Sequence, residues 1–321
     1  MSTKKYALEL LENKRGHGDI TVPIENWLRA SPEIALKPAI PTRSQSFSKR
    51  NCYNDILSVQ GMLPFLAEKE VSAKINIHAS LESTNKTAKE LAVSGTEYDG
   101  TIIISDNQTA GRGRYGRKFF SLPGHGIYMS FIIRPTQPDW INVPTLVTSY
   151  AAVSVCKAIE TTTGKMPQIK WVNDIFLDGK KICGILTEAV TDFESGNMQW
   201  IVLGIGINFI TPAAGFPEEI RHIAGSVFSE SKPTITRNQL VAEIVNRVLN
   251  FNHKCDNKTM LAEYKKRLMM IGKKIVIAGM NEPFEATAID IDDIGLLIVR
   301  KDNGEVLSLS AGEVRLDLSC R

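Results

Sequence analysis

Between residues 111 and 117 the chain reads Gly111-Arg112-Gly113-Arg114-Tyr115-Gly116-Arg117, three guanidinium groups in seven residues. Three glycines break any regular helix or strand there. Arginine offers a planar fork of donors suited to phosphate or carboxylate oxygens. Glycine lets backbone N–H groups approach an anion closely. Such a loop can wrap a polyphosphate without a P-loop motif, which the chain lacks. A solvated basic loop and an RGG-like RNA contact are the competing uses, but this loop lies between apolar strands, not in a low-complexity tail. A second feature is Lys170 in IKWVND, flanked by Ile169 and Trp171. A lysine in such company must be paired or reach a site. The choice is between a salt bridge to Asp174 and a functional amine that polarises a carbonyl or neutralises phosphoryl charge. The third feature is the glycine-rich strand LGIGIN (203–208). Glycine inside a strand weakens it and often marks close approach by a ligand. Neither a helix-opening context nor an acidic residue for a ribose accompanies it, so a Rossmann reading is rejected.

These residues must be positioned by the elements around them. Ser83-Thr84 before NKTAKELAVSG reads as a capped helix ending at Gly95. TIIIS (101–105) and GIYMSFIIR (126–134) read as buried strands on either side of the arginine loop. A helix is expected from about Val143 to Thr162. QIKWVNDIFLDGKKICGILTEAV then reads as two strands joined at Asp178-Gly179, a strong hairpin signal. WIVLGIGINF (200–209) is another strand, followed by helices over 236–252 and 258–270. Hairpins in place of regular βαβ units predict an α+β sheet covered by helices on one side. Residues 271–316 hold KKIVIAG, FEATAIDID, GLLIVRK and EVLSLS, short strands whose spacing predicts a small all-β barrel.

The predicted organisation is a poorly packed basic segment over 1–52, a catalytic domain over 53–270 and a small β domain over 271–321. Residues 1–52 carry nine Lys/Arg and five Asp/Glu, a net of +4 against +3 for the whole chain, which leaves −1 for the rest. Any general attraction to nucleic acid therefore belongs to the N-terminal segment. Four prolines, Pro23, Pro32, Pro38 and Pro41, limit its helices to two or three turns. Composition is 43% apolar and 23% charged, as expected of a globular protein. No apolar run is long enough to span a membrane, and MSTKKYALELLENKRG lacks a signal-peptide core, so a cytoplasmic protein is expected. Cys52, Cys156, Cys183, Cys255 and Cys320 show no ligand spacing and are expected as reduced thiols.

ESTN (82–85), GRGRYGR, KWVNDIF (170–176), KKICGILTEA (180–189) and LGIGINF (203–209) together resemble the biotin protein ligases in content and order. The resemblance covers about residues 53–316. It implies an α+β catalytic domain of the class II aminoacyl-tRNA synthetase type, a mixed sheet with helices, followed by an SH3-like β-barrel. It also implies two-step chemistry with biotin and ATP as substrates and Mg²⁺ accompanying ATP. Biotin is activated to biotinyl-5′-AMP and passed to a lysine of the biotin carboxyl carrier protein of acetyl-CoA carboxylase or a related carboxylase. Residue by residue, Ser83, Thr84, Asn85 and Gln108 correspond to biotin-binding positions. Arg112, Gly113 and Arg114 correspond to the biotin and adenylate loop, with Arg117 toward phosphate. Lys170 corresponds to the lysine that contacts the activated carboxyl, and Lys170 and Arg114 are the expected catalytic pair. Asn173 and Asn208 correspond to positions near the nucleotide. Joining two anions calls for cationic groups that bind developing charge, and no nucleophilic side chain is required. The magnesium ligands are not legible, since Mg²⁺ leans on phosphates and water.

The sequence departs from the family pattern in three places: KWVND replaces KWPND, AGEVRLDL matches the C-terminal end loosely, and residues 1–52 lack a helix-turn-helix pattern. Some members are also repressors with an N-terminal winged helix, so a shifted reading frame that scrambled such a domain is one explanation. Specific DNA binding is therefore not expected, no membrane partner is expected, and a homodimer is left open. The rival functions are a lipoate-type ligase of related fold, a biotin-sensing repressor, and an RNA-binding protein using GRGRYGR.

Overall fold

The computed structural model describes residues 20–21, 55–70, 73–135, 144–191, 198–229, 232–254, 256–278 and 282–316. Most of the expectations for residues 1–52 therefore lie outside the described residues, as do Cys52, Cys255 and Cys320. The larger part is built on eight strands: β1 (Ile20–Thr21), β2 (Ile75–His78), β3 (Ile102–Ser105), β4 (Gly126–Ile133), β5 (Gln168–Lys170), β6 (Asp174–Leu177), β7 (Lys180–Thr191) and β8 (Met198–Asn208). Their spatial order is β1-β2-β3-β4-β8-β7-β6-β5. Only β2 and β3 run parallel, and the other neighbours are antiparallel. Among the described residues, six helices accompany the sheet: α1 (Val59–Met62), α2 (Thr84–Ser94), α3 (Pro144–Thr163), α4 (Glu218–Arg221), α5 (Arg237–Lys254) and α6 (Asn257–Arg267).

Period-2 alternation sorts the sheet residues onto two faces. Ile102, Ile104, Phe131, Ile133, Ile201 and Leu203 join a large core with Val147, Val155, Leu240 and Val245 of α3 and α5. Their neighbours Ile103, Ile132 and Val202 point the other way and pack with Ala88 and Ala92 of α2. Helices thus cover both faces, which differs from the one-sided cover read from the sequence. The small residues of α2 let one short helix lie close to the second face and leave the rest of that face open. No helix among the described residues is long and apolar enough to cross a membrane.

Residues 168–191 form three strands where two were expected. Trp171–Asn173 makes a tight turn, so Lys170 ends β5 directly opposite Asp174 of β6. The expected turn at Asp178-Gly179 is present between β6 and β7, both residues at positive φ. The second sheet comprises β9 (Lys274–Ala278), β10 (Phe284–Ile291), β11 (Leu297–Arg300), β12 (Val306–Leu309) and β13 (Glu313–Leu316), ordered β12-β11-β10-β9-β13 and antiparallel throughout. This matches the expected small β domain with one more strand, β13. The large core continues into it through Ile275, Ile277, Ala288, Leu297 and Val299. Trp171 Nε1 donates to Gly295 O at 3.2 Å across the same boundary.

Candidate active site

The face that α2 covers only in part carries the candidate site. Its floor is a row of glycines: Gly184 on β7 pairs with Gly206 on β8, and Gly204 pairs with Leu186. Their absent side chains are filled by others. A β-carbon on Gly204 would sit 2.0 Å from Asn85 Oδ1, and one on Gly206 would sit 2.8 Å from the Phe119 ring. These positions require glycine for close approach, not for backbone angle. Asn85 is buried and its amide is fully oriented. Its Nδ2 donates to Leu186 O at 3.2 Å and Glu188 Oε2 at 2.8 Å, while Oδ1 accepts from Ser130 Oγ at 2.6 Å. Lys89 of α2 holds the other Glu188 oxygen at 2.7 Å. Burial works against the Glu188 charge, yet the hydrogen bonds from Lys89 and Asn85 keep its carboxyl below the usual range.

The start of α2 is capped in an unexpected way. Ser83 occupies the cap position, but its hydroxyl makes no capping bond. Gln108 Oε1 accepts instead from Thr84 N at 2.8 Å and from Thr84 Oγ1 at 3.2 Å. Gln108 is set by a bridge to Leu81 and by donation of its N–H to Ser121 Oγ at 2.8 Å. The Ser83 hydroxyl is left for the cavity. That cavity, about 20 Å³, is lined by Ser83, Thr84, Asn85, Gln108, Arg112 and Phe119 above the glycine floor.

The arginine loop folds as a miniature hairpin. Phe119 N donates to Gly111 O at 2.9 Å, Arg112 bridges Lys118, and Gly113 N donates to Arg117 O at 2.7 Å. Tyr115 (φ 56°) and Gly116 (φ 72°) turn the chain at its tip, both left-handed as the twist of a two-residue turn requires. The three guanidinium groups point to different partners. Arg112 reaches Glu82 at 3.3 Å. Arg114 donates to Asn173 Oδ1 at 3.2 Å and to Tyr115 OH at 3.1 Å, with its guanidinium 5.0 Å from the Tyr115 ring centre. Arg117 pairs with Glu313 of β13. The hairpin with Leu186 and Glu188 encloses a wider cleft of about 410 Å³ that shares Arg112 with the small cavity.

Of the residues singled out from sequence, Ser83, Thr84, Asn85, Gln108 and Arg112 come together in the cavity, and Arg112, Gly113, Arg114 and Arg117 line the cleft. Asn173 joins them through Arg114. Asn208 lies at the end of β8, where its Nδ2 donates to Gly225 O at 2.9 Å, and it lines neither space. Lys170 makes no salt bridge to Asp174 among the described residues; Asp174 pairs with Lys181 at 2.6 Å. The Lys170 ammonium lies 6.0 Å from the Phe176 ring centre. Burial pulls it below the ordinary lysine range, with Asp174 and Glu313 opposing and Lys181 and Arg117 reinforcing the shift.

Lys181 is the functional candidate that sequence reading missed. Its Nζ lies 3.5 Å from where a side chain on Gly184, a floor residue, would begin. Its position between Asp178-Gly179 and CGIL looked like solubilising charge at a turn. Only the bulge between Ile175 and Phe176 of β6, against β7, turns it onto the glycine face. Phe119, Ser130 and Glu188 were missed for the same reason, since register and not local pattern brings them in.

Residues 77–208 match the model of the biotin/lipoate A/B protein ligase family, and residues 270–317 match the biotin protein ligase C-terminal domain. The bifunctional ligase/repressor BirA of Bacillus subtilis is 35% identical over 71% of this chain and 69% of its own length. The biotin–[acetyl-CoA-carboxylase] ligase of Mycobacterium tuberculosis is 30% identical over 75% of this chain and 88% of its own. Among solved structures, the biotin protein ligase of Aquifex aeolicus in complex with biotin and ATP superimposes with a TM-score of 0.63 at 23% identity. That superposition covers 76% of this chain and 98% of the Aquifex chain. Fold, motif order and these likenesses agree: the chain belongs to the biotin protein ligase family.

Proposed function

We propose that this protein activates biotin with ATP and transfers it to a lysine of a biotin carboxyl carrier domain. The observation that carries the reading is one sheet face on which a small polar cavity adjoins a cleft ringed by three arginines. In the first step a biotin carboxylate oxygen attacks the α-phosphorus of Mg-ATP and pyrophosphate leaves. In the second, the carrier amine attacks the acyl carbon, AMP leaves with the bonding electrons, and the amine proton goes to solvent. Both steps develop charge that preorganised cations stabilise.

Ser83, Thr84 and Gln108 supply hydrogen-bonding groups for the ureido end of biotin. The glycines and Phe119 supply an apolar wall for its ring. A cavity of about 20 Å³ holds little more than one water molecule, so Phe119 and Arg112 must swing outward to admit the ligand. Lys181, Arg112 and Arg114 then face the carboxylate and α-phosphate, with Lys170 and Arg117 toward the polyphosphate. Asn85, fully bonded within the protein, supports the floor. Magnesium enters with ATP as part of the substrate, and the cytoplasm is the proposed setting for an enzyme that draws on ATP. The match to a biotin ligase C-terminal domain favours biotin over lipoate. The test is ATP-dependent transfer of labelled biotin to a carboxyl carrier domain, with lipoate in parallel. Transfer of biotin alone supports the reading, and transfer of lipoate alone overturns it.

A further inference from the structure

One buried charge has no part in the chemistry above. Arg237, the first residue of α5, has a side chain only 4% exposed, yet carries a full positive charge into the protein. Its Nη1 donates to Asp106 Oδ1 and, at 3.1 Å, to Gly126 O. Its Nη2 donates to Asp55 O. Its backbone N–H donates to Asp55 Oδ2 at 2.7 Å, which gives α5 a carboxylate at its N-terminus.

Asp106 and Gly126 are the two ends of the segment that builds the active site. Asp106 follows β3, and Gly126 opens β4. Between them lie Gln108, the arginine hairpin and Phe119. The same Asp106 oxygen also accepts from Gly124 N at 3.2 Å, and Asp106 N donates to His78 O at 3.0 Å. A single guanidinium therefore bonds both ends of the segment, just beyond the Ser105–Tyr128 pair that closes the β3–β4 ladder. Two residues from Asp106, Gln108 caps α2 and faces the cavity.

Stability alone is a poor account of this arrangement. Burying a guanidinium against two partly exposed carboxylates is costly, and buried ion pairs are often replaceable by apolar residues without loss. Here Arg237 Nε lies 3.5 Å from Asp55 Oδ2 without a hydrogen bond, and Asp55 Oδ1 is buried without a hydrogen-bond partner, so the cluster is not even fully satisfied. A lysine could hold a point charge there, but only a planar fork reaches Asp106, Gly126 O and Asp55 O together.

We infer that Arg237 is a positioning residue, a clasp that joins both ends of residues 106–126 and so sets Gln108 and the arginine hairpin at biotin-binding distance. The inference rests on the biotin reading of the cavity, and exchange of backbone amides tests it without any ligand. In the full chain, Arg237→Lys should raise the KM for biotin about tenfold, a fraction of the loss that small misplacements cause. Its kcat at saturating biotin should stay within about threefold. Amide exchange should quicken across 106–126 and stay unchanged in β7 and β8. Asp106→Asn should do the same, and the double variant should be no worse than either single one, because both remove one link. Asp55→Asn keeps the carbonyl that Nη2 uses and should leave the biotin KM within about twofold. An unchanged KM in Arg237→Lys and Asp106→Asn overturns the proposal. So does additivity in the double variant, or faster exchange spread evenly over the sheet, which marks a purely structural role. If Arg237→Lys fails to fold, Asp106→Asn carries the test.

Discussion

Two lysines are candidates for the chemistry, and neither lines the cavity or the cleft itself. Lys181 lies beside Gly184 of the floor and against Asp174. Lys181→Ala should slow single-turnover formation of biotinyl-adenylate by roughly 10²–10³-fold, the scale for losing one electrostatic stabiliser. Lys170→Ala should slow it by at least ~10-fold on the same reasoning. Rates within about threefold of the parent for either variant would remove that lysine from the mechanism. A catalytic role for Lys170 carries a pH signature. Its charged form is the useful one, and burial lowers its proton affinity. Adenylation should therefore fall as pH rises through a value below the ordinary lysine one, and Lys170→Arg should lift that alkaline fall. The linkage to folding has the opposite direction. Between the lowered folded value and the unfolded 10.5, the unfolded chain holds more protons, so this residue's contribution to stability grows with pH.

At the scale of elements, β8 and the arginine hairpin make the site by being, respectively, bare and lightly tethered. Gly204→Ala drives a methyl into Asn85, which cannot move without breaking its bonds to Leu186 and Glu188. Overpacking of this kind costs about 1–3 kcal/mol, so thermal unfolding should shift down and calorimetric biotin affinity should drop with it. An unchanged melting temperature would mean that α2 moves away freely. The hairpin is different: its side-chain ties run to Glu82, Asn173 and Glu313, and Tyr115 at the tip is 57% exposed. Few apolar contacts hold it, so its amides should exchange faster than those of the sheet and slow on biotin binding. Such ordering would also shield a reactive mixed anhydride from water. Arg114→Gly should accordingly release adenylate and label bystander proteins. Equal exchange with and without biotin, together with no bystander labelling, would make the hairpin a rigid scaffold.

For the whole molecule, the question is what residues 1–52 add. They carry the excess positive charge of the chain, and the described residues that line the cavity and the cleft begin at Ser83. A chain beginning at residue 53 should transfer biotin at a rate within about twofold of the full chain. Binding of the full chain to DNA should be salt-sensitive and weak, in the ~10⁻⁴–10⁻⁶ M range of non-specific contacts. A sequence-specific footprint at physiological salt would instead assign a repressor function to this segment. The small β domain is not separable in this way, because the large core runs into it and Arg117 of the hairpin pairs with Glu313 there.

Local pattern determined a good deal of this. Helix ends near Ser83 and Gly95, strands over TIIIS and GIYMSFIIR, and the Asp178-Gly179 turn follow from periodicity and turn chemistry within a few residues, and the structure bears them out. The order of ESTN, GRGRYGR, KWVND and LGIGIN was enough to place the chain in its family and to gather Ser83, Thr84, Gln108 and the arginines as one site. The contacts themselves were decided elsewhere. Asn85 meets Leu186 and Gly204 only because β7 and β8 pair in one register, and no local pattern encodes a register. The bulge that turns Lys181 onto the glycine face, the turn that ends β5 at Lys170, and the reach of Arg237 back to Asp55 and Asp106 are likewise products of packing. A strand shows from its own residues that it alternates. Which neighbour its exposed face will meet depends on chain a hundred residues away.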